Sequence, residues 1–313
     1  MTMKLLTWVV ILTGILQAPK AVADSLSPAA VGWGNLLIPG LGATFEGHPG
    51  TGMLEAGIEI GLFVGGTFGA REGNFTIDNS VIIPQRGTLY NPLAGQAMQE
   101  IGLKLHFFDT FYHYQQACLS IADSDRERNN PQPLYKGTWK DVLAAPFRWD
   151  NLSDPWVFLP LMVGLGYFAY DYHTTPVPQS STYRPRTGEN MLYAFNSIGL
   201  IPAGSAFGEE VLFRGMIQRE AHLYTGSLVV AMISQSLLFA SIHPSTDRVA
   251  SFFGGLYFGY LTTRYQGNLE QAIAMHFWFD LLSGIADYLR FRLQHGQGAP
   301  WSPNATFSFS VPL

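Results

Sequence analysis

Three short segments set ionisable side chains into apolar surroundings. In Phe207-Gly208-Glu209-Glu210-Val211-Leu212-Phe213-Arg214-Gly215, Glu210 and Arg214 are four apart, so on a helix they share a face and can pair. Glu209 sits about 100° further round such a helix and points elsewhere. One carboxylate can then be held by the arginine while the other faces a cavity. In Phe239-Ala240-Ser241-Ile242-His243-Pro244, Phe239 and His243 share a face at the end of an uncharged stretch. In His276-Phe277-Trp278-Phe279-Asp280, an imidazole and a carboxylate are again four apart, inside the last apolar segment. Carboxylates, imidazoles and a guanidinium gathered out of water are the ingredients of general acid–base chemistry.

Each segment alone has an ordinary explanation. Glu-Glu-x-x-x-Arg on a helix is usually a solvated ion pair. A histidine at a helix end is more often a packed or capping residue, and His276 with Asp280 is a simple hydrogen-bonded pair. The combination is different. A charged side chain at a bilayer centre costs about 2.5–3.5 kcal/mol on insertion scales. Several such costs within one chain require a shared polar cavity or a compensating role.

The elements that carry these residues are apolar and long. Charged residues make up 13% of the 313-residue chain, against about 25% in an ordinary soluble domain. The net charge of −5 gives no sign of a nucleic-acid binder. One cysteine, Cys118, excludes an intrachain disulfide framework and reads as a small buried residue. Charge is absent from residues 155–170, 191–208, 223–242 and 249–263, and a last apolar helix is expected over 269–289. These lengths approach the roughly 20 residues of a membrane span. Within a bilayer the backbone must satisfy its own hydrogen bonds. The expected fold is therefore all-α, a polytopic transmembrane helical bundle with an additional N-terminal membrane-associated region. Gly254, Gly255 and Gly259 would let helices approach closely.

Residues 1–23 read as a secretory signal peptide: Lys4, an apolar run from Leu5 to Leu16, and Ala21-Val22-Ala23 as the cleavage site. Residues 24–150 form a glycine-rich, membrane-associated region. Within it, 31–70 reads as a membrane hairpin or re-entrant pair turning at Glu46–Gly50, 71–97 as a loop, and 98–121 as a helix. Glu55 and Glu59 share a helix face with nothing complementary nearby in sequence, which suggests an interfacial or cavity-facing pair. His106 and His113 are seven apart on one face. A metal site is possible there, and an aromatic packing helix is the more ordinary reading. Arg126, Arg128, Lys136, Lys140 and Arg148 mark 123–150 as the cytoplasmic candidate. Residues 151–295 form the core with the chemistry, and 296–313 a polar tail.

The ordered set Glu-Glu-x-x-x-Arg, Phe-x-x-x-His and His-x-x-x-Asp over residues 209–280 resembles the signature of the CPBP family. That family includes the type II CAAX prenyl endopeptidases and bacteriocin-processing or immunity proteins. The resemblance covers roughly the last 150 residues. It implies an intramembrane endopeptidase acting on a membrane-associated protein or peptide, in a multi-pass protein of a membrane, the bacterial inner membrane being the simplest destination. It implies that Glu209 and His243 activate a water, Glu210 and Arg214 shape the site, and His276 and Asp280 stabilise the oxyanion. Burial would raise the Glu209 pKa towards neutrality and make it a better base. The family motif has Asn or Asp at its last position. An ionised Asp280 cannot donate to an oxyanion, so the expectation is that it orients His276. A mechanism without cofactor is expected. The alternative is a zinc ion held by Glu209, His243 and His276. The alternative functions are a non-catalytic membrane scaffold or immunity protein and, further off, a proton-coupled transporter.

Overall fold

The computed structural model describes residues 26–71, 75–78, 81–84, 92–121, 132–174, 187–243, 245 and 247–296. The signal-peptide reading of residues 1–23 and the tail beyond Gly296 lie outside the described residues, as do Arg126 and Arg128.

The described chain is overwhelmingly helical. Helix α1 (Pro28–Leu37) starts with Ser27 capping Ala30 N–H and with proline in its first turn, where no backbone donor is needed. Gly40, at φ 78°, turns the chain into α2 (Leu41–Phe45). Gly47, at φ 85°, leads into α3 (Pro49–Arg71). A two-stranded antiparallel hairpin follows, β1 (Phe75–Asp78) with β2 (Val81–Pro84). Residues 71–97, expected as a loop, therefore hold this hairpin and the start of α4 (Pro92–Ser120). Pro92 fits a first turn as Pro28 does, so it opens the helix instead of excluding it. The hairpin or re-entrant pair expected over 31–70 is three helices, with α1 and α3 packed along α4.

The connection to the second half carries α5 (Trp139–Ala144) and α6 (Trp149–Leu152), then α7 (Pro155–Thr174). Residues Thr187 to Thr225 run as one continuous helical rod, α8, wound as a π-helix over Phe195–Leu200, Ser205–Glu209 and Val211–Ile217. Gly226, at φ 66°, ends it. Helices α9 (Leu228–Ser241), α10 (Arg248–Arg264) and α11 (Glu270–Gly296) complete the bundle.

Among the described residues, no helix is long and apolar enough to cross a membrane. The uncharged stretches near residues 223–242 and 249–263 give helices of 14 and 17 residues. At 1.5 Å per residue both fall short of a hydrocarbon core of about 30 Å. Helices α8 and α11 are longer but carry the ionisable motifs.

One core joins α4 to the second half. Phe107, Phe111, Tyr114 and Cys118 of α4 are buried with Val211, Leu212, Phe213 and Met216 of α8 and with Phe239, Ile273 and Phe277. Tyr114 donates to Glu220 at 2.7 Å and accepts from Arg219 at 2.6 Å, so a polar tie runs through the same interface. Gly255 lets α10 lie against Ser236 of α9, and Gly259 makes room for Gln218 and Gln235.

Candidate active site

Adjacent glutamates on α8 face different partners. Both are buried. Glu210 Oε1 accepts a 3.0 Å hydrogen bond from Arg214 Nη1, the i, i+4 pair expected from spacing. The same oxygen accepts Nδ1–H of His276 at 2.7 Å. Arg214 is wholly buried, with its guanidinium 4.4 Å from the Phe239 ring and 5.1 Å from that of Phe258. Its Nη2 also reaches the Gly255 carbonyl at 3.4 Å. A fully desolvated ion pair is tolerable only when further contacts of this kind complete it.

Glu209 points the other way. Its Oε1 pairs with Lys104 Nζ of α4. Its Oε2 makes no hydrogen bond and lies 4.0 Å from His276 Nε2. The π windings around both glutamates add a residue per turn, a distortion frequent at functional sites.

His276 is the hub. Nδ1 is fixed by Glu210, and Nε2 faces Asp280 Oδ2 at 3.4 Å and Glu209 Oε2 at 4.0 Å. Its ring stacks on Phe258, with centroids 4.7 Å apart and planes 17° from parallel. Glu210 makes the shorter contact with His276, and Asp280, expected to orient the ring, meets its other nitrogen. His243 stands just beyond α9. Its Nδ1–H donates to the Phe239 carbonyl at 2.7 Å, which leaves Nε2 with its lone pair free. It is close enough to bear electrostatically on Glu209 and Asp280. Five of the motif residues, Glu209, Glu210, Arg214, His276 and Asp280, thus form one contact network, and His243 stands at its edge.

Lys104 is the residue that motif spacing missed. It is the single Lys or Arg in Pro92–Ser120. A lone cation on so aromatic a helix signals a carboxylate partner. It also alters the chemistry expected of Glu209. A neighbouring ammonium favours the charged carboxylate and works against the rise that burial alone would bring.

The donor atoms of Glu209, His243 and His276 do not gather within 4.8 Å of one another. As arranged, they do not fit a single three-ligand zinc ion.

Beside the network, α7, α10 and α11 enclose an apolar groove of about 970 Å³. Met275 and Phe279 line it from the α11 face next to the one that carries His276 and Asp280.

Fold and cluster together define an all-helical bundle with an acid–histidine centre buried among its helices. Residues 193–282 match the family model Rce1-like, described as type II CAAX prenyl endopeptidase Rce1-like. That match supports the CPBP resemblance carried by the three motifs. The matched segment holds all six motif residues and leaves Lys104 and α1 to α4 outside it. No curated protein and no solved structure matches the chain.

Proposed function

We propose that the chain is a membrane-embedded endopeptidase that hydrolyses a peptide bond of a membrane-associated protein or peptide. The observation that carries this reading is a pair of unused proton acceptors near enough to influence each other electrostatically. Glu209 Oε2 has no hydrogen-bond partner, and His243 Nε2 keeps its lone pair.

In this mechanism Glu209 Oε2 orients a water, and its proton passes to His243 Nε2. The water oxygen bonds to the scissile carbonyl carbon. Negative charge collects on the carbonyl oxygen, where Nε2–H of a protonated His276 donates. Such a donor is worth about 2.7–4 kcal/mol in the transition state. The C–N bond then breaks, and the proton held by His243 leaves with the amine. Glu210 and Arg214 hold His276 in place. The apolar groove suits an apolar segment or acyl-type chain of the substrate.

Membrane embedding is supported by the family match and by the outer faces of the helices. Phe158, Leu159 and Val163 of α7, Val229 and Leu237 of α9, and Val249 and Phe253 of α10 are all exposed. The cytoplasmic side is assigned to the basic 123–150 segment, and the bacterial inner membrane remains the proposed location.

The test compares cleaved protein termini in membranes from cells carrying wild type, Glu209→Gln or His243→Ala. Each variant should abolish the same cleavages, including in the fraction of Glu209→Gln that stays folded despite the loss of its pairing with Lys104. Identical termini in all three would establish the second reading, a non-catalytic scaffold or immunity protein. The Lys104–Glu209 pair is the observation that favours that alternative, because it ties up one oxygen of the carboxylate.

A further inference from the structure

A second cluster of ligand-type side chains lies in the helices that precede the family match. His113 of α4 is 2% exposed. Its Nδ1–H donates to Glu46 Oε1 at 2.8 Å. Its Nε2 makes no hydrogen bond. Yet that nitrogen points between Asp109 Oδ1 at 3.2 Å and Glu55 Oε2 at 3.4 Å. Asp109 is one helical turn before His113, and Glu55 comes from α3. Glu55 Oε2 also lacks a hydrogen bond. The three donor atoms lie within 4.8 Å of one another, the single such group among the described residues.

The spacing, which also allows ion pairs, fits a tetrahedral ion. Zinc–nitrogen and zinc–oxygen bonds of about 2.0–2.1 Å in a tetrahedron put neighbouring ligand atoms about 3.3 Å apart. The observed 3.2 and 3.4 Å straddle that value. The outer support matches as well. Metal-binding imidazoles usually give their other N–H to a carboxylate, and Glu46 takes that part here. Asp109 Oδ2 accepts from Asn35 Nδ2 at 2.8 Å, which turns Oδ1 inward. Asn35 is itself fixed by Gly42 N–H, 2.7 Å from its Oδ1. A Cβ at Gly42 would run into the His113 ring, so only glycine leaves the imidazole where it is.

Charge points the same way. Glu46, Glu55 and Asp109 face a single imidazole. A proton on His113 supplies one positive charge against three carboxylates, whereas a divalent ion supplies two and bonds to the Nε2 that makes no hydrogen bond. His106, the other histidine singled out by its spacing, is engaged elsewhere, with Glu59 Oε2 at 2.8 Å and the Leu36 carbonyl at 3.0 Å.

We propose that Glu55, Asp109 and His113 bind one divalent metal ion of the zinc class, with a water completing the tetrahedron, and that this ion fastens α3 to α4. It is distinct from the centre around Glu209 and His276.

The test uses the purified full-length protein in detergent, stripped with chelator and titrated with Co²⁺ and then Zn²⁺. One equivalent of Co²⁺ should develop the visible absorption of a tetrahedral nitrogen–oxygen site, and Zn²⁺ should displace it and raise Tm. His113→Gln and Asp109→Asn should each weaken binding at least tenfold and remove the Zn²⁺-dependent rise in Tm. A Glu209→Gln/His276→Ala double variant should keep both. Glu55→Gln, at a partly exposed position, gives the same readout if the buried substitutions fail to fold. Stoichiometric binding that survives in His113→Gln, binding lost only in the double variant, or no stoichiometric binding by wild type would each overturn the assignment.

Discussion

Glu209 and Glu210 are chemically identical neighbours with different fates, and the difference is decided by what each meets. Glu210 meets a guanidinium and an imidazole, both buried with it. Glu209 meets an ammonium from another part of the chain. Helical spacing predicts the first encounter, because both partners of Glu210–Arg214 lie within one turn. It cannot predict the second, since Lys104 is 105 residues away. Nor could it assign the histidines to Glu55 and Glu59, whose partners His113 and His106 arrive from α4. The Lys104–Glu209 pair gives a residue-scale prediction. Removing one partner of a buried pair strands a charge and costs about 3–5 kcal/mol, while removing both can be nearly neutral. Lys104→Met and Glu209→Gln should therefore each lower unfolding stability in detergent, and the double variant should recover most of the loss. Additive losses in that double-mutant cycle would show that the two side chains do not interact.

Helical character was largely legible in the sequence, because hydrophobic period acts locally, but the number of helices was not: the short α2, α5 and α6 carry no such period. Nor were lengths, because ends are set by contacts outside the window. Thr187 to Thr225 had read as an uncharged stretch and a separate charged motif, yet it folds as one rod. The contact that fixes this rod against α11 is backbone to backbone. A Cβ at Gly284 would fall on the Ser197 carbonyl oxygen. Gly284→Ala must therefore push α11 away from α8, and His276 rides on α11. Overpacking of this kind costs about 1–3 kcal/mol. The variant should melt at lower temperature and lose activity together with stability, whereas Gly166→Ala, which meets open space, should change neither. At α5 the local device is electrostatic. Asp141 accepts from the Thr138 N–H and hydroxyl at 2.8 Å and pairs with Arg148 at 2.6 Å, and these hold its carboxyl down at about 2 from 3.8. A depressed carboxyl stabilises the fold fully above its unfolded value of 3.8 and loses that contribution as pH falls through about 2. Carboxyl-carbon NMR of Asp141 should show a folded-state midpoint near 2. A midpoint at 3.8 would mean that the capping contacts do not form.

On the scale of the whole molecule, the boundary suggested by composition at about residue 150 does not coincide with a boundary in packing. The family match begins at residue 193, yet α4 supplies Phe107, Phe111 and Tyr114 to the core beneath it and Lys104 to its centre. A sequence can display motifs shared with a family, but an added helix that packs through ordinary aromatics carries no such mark. The consequence is testable by truncation. Each buried aromatic lost from a core costs about 3–5 kcal/mol, and a typical domain has only about 5–15 kcal/mol in all. Losing three of them together with the Tyr114–Glu220 hydrogen bond and the partner of Glu209 exceeds what the remainder can absorb. A fragment beginning at Gln132 holds every motif residue and the whole matched segment. It should nevertheless fail to accumulate as protease-resistant protein, and supplying residues 24–131 as a separate chain should restore it. Stable, active protein from the fragment alone would mean that α1 to α4 sit beside the bundle without supporting it.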